Sequence, residues 1–189
     1  MSEKKHTFQK PMGGYLEPKN AADTSAMRQH FVAATGEFVG TFLFLFFAFV
    51  AHSMVAQQSS DTGPGGTPSS STVVYISLIY GMSLLVTVWT LYRVSGGLFN
   101  PAVTIGLIVA GAVPTVRGLI LIPVQFISAM CAAGVAAAII PGSIAVVETT
   151  LAPGMSVARG FFLEMVCLQP VFVLREFLRK PIITVLTNA

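Results

Sequence analysis

Asn100-Pro101-Ala102 is the tripeptide whose residue types have the most to offer at short range. Asparagine is a favoured helix N-cap, and proline suits the first helical position because its missing N–H would have no partner there. A helix starting at Asn100 gathers roughly half a positive elementary charge at its first turn, and the Asn100 amide adds hydrogen-bond donors to that end. Just ahead, Ser95-Gly96-Gly97-Leu98-Phe99 reads as extended, with glycines that let backbone carbonyls approach a small polar molecule closely. The chemistry on offer is non-covalent: acceptors leading in, donors at a helix start, and a fixed potential that opposes cations.

Covalent or metal chemistry finds no comparable set of residues. His6 and His30 lie in or beside a polar tail, His52 stands alone in an apolar run, and no nucleophile elbow or metal motif occurs. Cys131 and Cys167 sit in apolar runs without CxxC spacing and read as small buried core residues. The expectation is therefore no enzyme, no cofactor and no metal. The net charge is only +3, and the basic residues form no stripe with aromatics, which argues against a nucleic-acid partner.

The elements that must carry Asn100 are apolar. With 53% hydrophobic and 10% charged residues and a mean hydropathy of +0.74, the chain has too few charges to coat a water-soluble globule. Residues 31–56, 72–92 and 115–140 are each long enough to cross a bilayer core, which takes about 20 residues. Residues 157–174 form a marginal fourth span, interrupted by Arg159, Glu164, Gln169 and Pro170. Residues 57–71, rich in Gly, Pro and Ser, read as an exposed connection, and Pro123 as a possible kink in the third span. Between the second and third spans, residues 100–110 allow a helix of only about 15 Å, half a bilayer. Irregular backbone at that depth is tolerated only where protein buries it or it lines a watery cavity. Carbonyls below and donors at the centre would orient single-file water.

Residues 1–30 are polar, with no apolar core of a removable signal, so the first span is expected to stay as a helix. Lys4, Lys5, Lys10, Lys19 and Arg28 precede it, Arg93 and Arg117 flank the half-helix, and Arg175, Arg179 and Lys180 follow the fourth span. That distribution puts the N-terminal tail, the half-helix loop and the tail at 175–189 in the cytoplasm, with Arg159 as the exception at the outer end. Gly36 and Gly40, and the Ala- and Gly-rich run 129–138, offer small surfaces for close helix approach.

The pattern SGGxxNPAVTxG, Ser95 to Gly106, resembles the major intrinsic protein (aquaporin) family. The resemblance continues from about residue 30 to residue 165, through Glu37, Tyr80-Gly81, Gln125 and Arg159-Gly-Phe-Phe-Leu-Glu-Met165, and the polar N-terminal extension looks like that of fungal members. It implies an all-α, aquaporin-like membrane fold over residues 31–174: three full transmembrane helices, one re-entrant half-helix and the marginal fourth span. By resemblance Asn100, Pro101 and Ala102 are the pore motif, Gly96, Gly97 and Leu98 supply a carbonyl ladder, and Phe44, Tyr80, Leu84 and Val103 line the pore. Tyr80 takes the aromatic position of the outer filter, where glycerol facilitators usually carry Trp, which leans toward water. On residue type alone Phe44, Tyr80 and Leu84 read equally well as lipid-facing or interhelical packing. Ionisable groups inside spans call for specific partners. The resemblance gives Glu37, Gln125 and Glu164 the task of bracing the pore loops, while Glu37 also fits a carboxylate snorkelling toward the cytoplasmic face.

The family is built from two inverted repeats, each with one half-helix, meeting at the midplane. Here one Asn-Pro-Ala is present, and beyond about Val166 the resemblance is expected to stop. The expectation is one repeat and the start of a second, on a multi-pass plasma-membrane protein, with water as permeant and residues 1–189 not closing a pore alone. Two alternatives stay open: a non-conducting hetero-oligomeric partner of full-length aquaporins, and the product of a frameshifted gene model.

Overall fold

A computed structural model describes residues 26–58, 69–151 and 154–166, and all regular structure among them is helical. The chain divides into two units, Met1–Val147 and Glu148–Ala189. In the first, α1 is Ala26–Gln58, α2 Ser70–Ser95, α3 Pro101–Val109 and α4 Thr115–Ile139, followed by a 3-10 turn at Ile144–Val147. Helix α1 packs against both α2 and α4, the short α3 packs on α4, and the 3-10 turn rests on α1. Three of these helices, over Met27–Gln58, Ser70–Ser95 and Thr115–Ile139, are long and apolar enough to cross a membrane.

Local chemistry sets the helix ends. The Ser69 hydroxyl caps α2 by accepting from the Thr72 N–H at 3.3 Å, and Gly96, at φ 97°, closes it in the left-handed region with its N–H on the Tyr92 carbonyl at 3.0 Å. Helix α3 has only 9 residues, about 14 Å at about 1.5 Å per residue, and stops where Gly111 turns to φ 70°. Helix α4 runs on through Pro123 despite the backbone hydrogen bond that proline forfeits. Helix α1 begins at Ala26, before the apolar stretch at residue 31, because Arg28, Gln29 and His30 continue the helix as a polar first turn.

Polarity is distributed the opposite way from a water-soluble protein. Leu78, Met82, Leu85 and Trp89 on α2, and Leu119, Phe126 and Met130 on α4, are exposed, whereas Glu37, Thr41, Ser83, Thr87, Gln125 and Ser128 are buried. In water such apolar faces would drive association; in lipid they match the solvent, and the polar groups must find partners inside the bundle. Two hydroxyls do so across helices: Ser83 donates to the Phe44 carbonyl at 2.7 Å, joining α2 to α1, and Ser128 donates to the Phe38 carbonyl at 2.6 Å, joining α4 to α1. The small surfaces are used for close approach. A Cβ on Gly36 would stand 3.0 Å from Ser95 Cβ, a Cβ on Gly40 would enter the Phe99 ring, and Ala132 and Ala136 are fully buried.

In the second unit, residues 157–166 are helical, and the Ser156 hydroxyl accepts from the Arg159 N–H at 3.4 Å near their start. The remainder of the expected fourth span, residues 167–174, and the tails at 1–25 and 175–189 lie outside the described residues.

Candidate functional site

The segment between α2 and α3 is held by one carboxylate. Glu37, fully buried on α1, accepts from the Leu98 N–H at 2.8 Å through Oε1 and from the Phe99 N–H at 2.7 Å through Oε2. Oε2 also accepts from Gln125 Nε2 on α4 at 2.8 Å. Three N–H donors converge on its two oxygens, and such bonds offset the desolvation of a buried carboxyl group. Glu37 therefore does not snorkel: its carboxylate points into the bundle.

This clamp determines where the carbonyls go. Across a trans peptide the N–H and C=O point in opposite directions, and no cis peptide occurs among the described residues. Turning the Leu98 and Phe99 N–H groups toward Glu37 thus directs the Gly97 and Leu98 carbonyls away from it. The backbone bends sharply to do this, with Gly96 at φ 97°, Gly97 at φ 60° and Phe99 at φ 47°. For Phe99 the left-handed region costs about 1–3 kcal/mol, which its surroundings must offset. Phe99 is 3% exposed, its ring packed on the open backbone of Gly40.

Asn100 caps α3. Its Oδ1 accepts from the Ala102 N–H at 2.8 Å and the Val103 N–H at 3.4 Å, so the amide oxygen is identified by its donors and Nδ2 projects away from the helix start. Behind it, Thr104 accepts from Gln125 Nε2 at 3.0 Å and donates its single O–H to the Asn100 carbonyl at 2.9 Å, the shorter of its two acceptor distances, Gln125 Oε1 lying at 3.2 Å. Glu37, Gln125, Thr104 and Asn100 form one connected chain of hydrogen bonds spanning α1, α4 and α3.

The remaining sequence-derived positions are less closely joined. Phe44 and Leu84 are half-buried, whereas Val103 is 4% exposed. Tyr80 is half-buried and its phenol lies 3.3 Å from His52 Nδ1. Glu164 is exposed on the helical stretch 157–166 of the second unit, where no hydrogen bond to its carboxyl occurs among the described residues. Sequence reasoning missed Thr104: its place one turn after an N-cap Asn was open to inspection, but its bond to Gln125, 21 positions on and on another helix, was not. It also missed the left-handed Phe99 and the partnership of His52 with Tyr80.

Spanning helices with apolar outer faces and a capped half-helix pinned by a buried carboxylate define a multi-pass helical membrane protein with a re-entrant segment. Comparison with known sequences gives the family. The major intrinsic protein profile matches residues 23–176, and the chain belongs to that family. The match runs beyond Val166, so the resemblance does not stop where the sequence alone placed its end. The chain is 52% identical over 149 residues to probable aquaporin-3 of Gibberella zeae, covering 79% of this chain and 52% of that relative. It is 45% identical over 148 residues to aquaporin-2 of Botryotinia fuckeliana, covering 77% and 39%, and 47% identical over 141 residues to aquaporin-7 of the same organism, covering 73% and 31%. The chain thus spans about half the length, or less, of these relatives.

Proposed function

We propose that this chain supplies the wall of one half of a passive channel for water and small neutral solutes, with α3 as its pore half-helix. The observation that carries this reading is the state of Asn100. Both backbone donors at the start of α3 occupy its Oδ1, which leaves Nδ2 as an outward donor at the positive end of a helix about 14 Å long. The Gly97 and Leu98 carbonyls, turned away from Glu37, add acceptors on the approach. Donors at the helix start and acceptors before it suit a molecule that both donates and accepts, and a positive helix end disfavours cations. The names of the relatives, all aquaporins, agree with this.

A helix of that length lines half of a bilayer core about 30 Å thick, so the path needs a second half-helix. That component is proposed to come from the same polypeptide or from a full-length aquaporin joined as a hetero-oligomer. From the distribution of positive residues, the N-terminal tail and the α2–α3 loop are proposed to lie on the cytoplasmic side, and the plasma membrane is the proposed location. Phe44, Tyr80, Leu84 and Val103 are proposed to face the path, and Glu164 to brace the second half-helix as Glu37 does the first.

Stopped-flow swelling of proteoliposomes carrying the complete native polypeptide tests the reading with Asn100→Asp. An aspartate keeps the capping oxygen and favours the helix start, yet replaces the outward donor with an acceptor and a negative charge. Water permeability should fall about tenfold, the worth of one charged-group hydrogen bond reversed, with the fold intact. Permeability no greater than that of bare lipid before mutation, or unchanged after it, would overturn the proposal.

A further inference from the structure

His52 and Tyr80 are the titratable pair that the half-helix does not use. They lie on facing helices, and the Ser83–Phe44 hydrogen bond gives the register: Tyr80 precedes Ser83 on α2 and His52 follows Phe44 on α1. Both therefore stand toward the α1–α2 connection, away from Gly96–Asn100. Along α1, His52 lies about 22 Å from Glu37 at about 1.5 Å per residue. His52 Nδ1 is 3.3 Å from Tyr80 Oη, and the rings meet edge-on, with centroids 5.9 Å apart and planes at 74°.

We propose that His52 is a positioning residue for Tyr80. It holds the phenol at the outer constriction and takes its O–H hydrogen bond, so that Oη presents only lone pairs to a passing solute. This rests on the reading above in which Tyr80 faces the path. A half-buried phenol O–H seeks an acceptor, and among the described residues Tyr80 Oη has one side-chain partner, His52 Nδ1. With the ring proton on Nε2, Nδ1 carries a lone pair and accepts. The phenol rotor is then fixed, and the outer constriction favours permeants that can donate. Without His52 the phenol O–H is free to turn and donate, which reverses the polarity offered to the solute and loosens the ring.

The experiment pairs two measurements. The first is 15N NMR of histidine-labelled full chain in lipid nanodiscs, which needs no conduction. Tyr80→Phe should move the His52 Nδ1 resonance, which in the wild type should be that of an unprotonated, hydrogen-bonded nitrogen; an unmoved or protonated Nδ1 signal overturns the proposal. The second is the ratio of water to glycerol permeability in proteoliposomes carrying the complete native polypeptide. His52→Leu should change that ratio about fivefold, the worth of one hydrogen bond. Tyr80→Phe should change it to a similar extent, the double variant no further, and His52→Asn, whose Oδ1 can stand near the Nδ1 position, should restore most of it. An unchanged ratio in His52→Leu, or an undiminished His52→Leu effect in the Tyr80→Phe background, overturns the positioning role alone. A ratio indifferent to Tyr80→Ala as well removes Tyr80 from the path, and the outer-constriction reading falls with it.

Discussion

Replacing Glu37 with Gln exchanges one oxygen for an NH2 group with two N–H donors, at a carboxyl whose three partners all donate. The better orientation keeps the amide oxygen at the Oε2 position, retaining Phe99 N–H at 2.7 Å and Gln125 Nε2 at 2.8 Å. The new Nε2 then faces the Leu98 N–H across the former 2.8 Å bond, donor against donor. One charge-assisted hydrogen bond is lost, about 1.5–3 kcal/mol, and a buried donor is stranded, about 1–3 kcal/mol more. Polar groups freed inside a membrane recover other partners in part, so the net cost should be about 2–4 kcal/mol. Phe99 at φ 47° turns that cost into local opening, because a released segment also sheds about 1–3 kcal/mol of backbone strain. Hydrogen–deuterium exchange in nanodiscs reads this directly. The Leu98 and Phe99 amides should exchange about 30- to 1000-fold faster in Glu37→Gln, at about 1.4 kcal/mol per tenfold, while α2 and α4 amides are unchanged. Exchange at Leu98 and Phe99 within about threefold of wild type would refute the clamp.

Two glycines should separate under the same small substitution. Gly40→Ala drives a methyl into the ring of Phe99, which is 3% exposed and cannot swing aside, so a loss of about 1–3 kcal/mol is expected in denaturant unfolding followed by circular dichroism. Gly118→Ala meets Cδ1 and Cγ1 of the half-buried Ile108, an aliphatic side chain that can turn away, and touches Thr104 Cγ2 at 3.6 Å, so it should cost less than Gly40→Ala; equal losses would contradict the packing described. Thr104→Val keeps the shape but strands one Gln125 hydrogen and the side-chain bond to the Asn100 carbonyl, with an expected cost of about 1–3 kcal/mol, whereas Thr104→Ser should unfold close to wild type.

Much of this arrangement was legible because it depends on short-range chemistry. The apolar lengths, the Asn-Pro helix start and the brevity of α3 follow from neighbouring residues, and so does the suspicion that an acid within a span has a partner. The identity of that partner was not legible. The N–H groups on Glu37 belong to residues 61 and 62 positions away, and Gln125 is 88 positions away, so they meet only through the packing of α1 between α2 and α4. The left-handed Phe99 is opaque for the same reason: nothing local favours φ 47° in a bulky residue, and only the clamp and the open backbone of Gly40 support it. His52 looked solitary because its partner is on another helix, 28 positions on.

On the proposed reading, Asn100 faces a water path at membrane depth while the outer faces of α2 and α4 meet lipid. Thiol accessibility in intact membranes tests it most directly, because a cysteine reacts with a polar methanethiosulfonate reagent only where water lets its thiolate form. In a background with Cys131 and Cys167 changed to Ser, Asn100→Cys should react readily, while Leu85→Cys, on the exposed apolar face of α2, should stay unlabelled. An unreactive Asn100→Cys, or one no more reactive than Leu85→Cys, would contradict it.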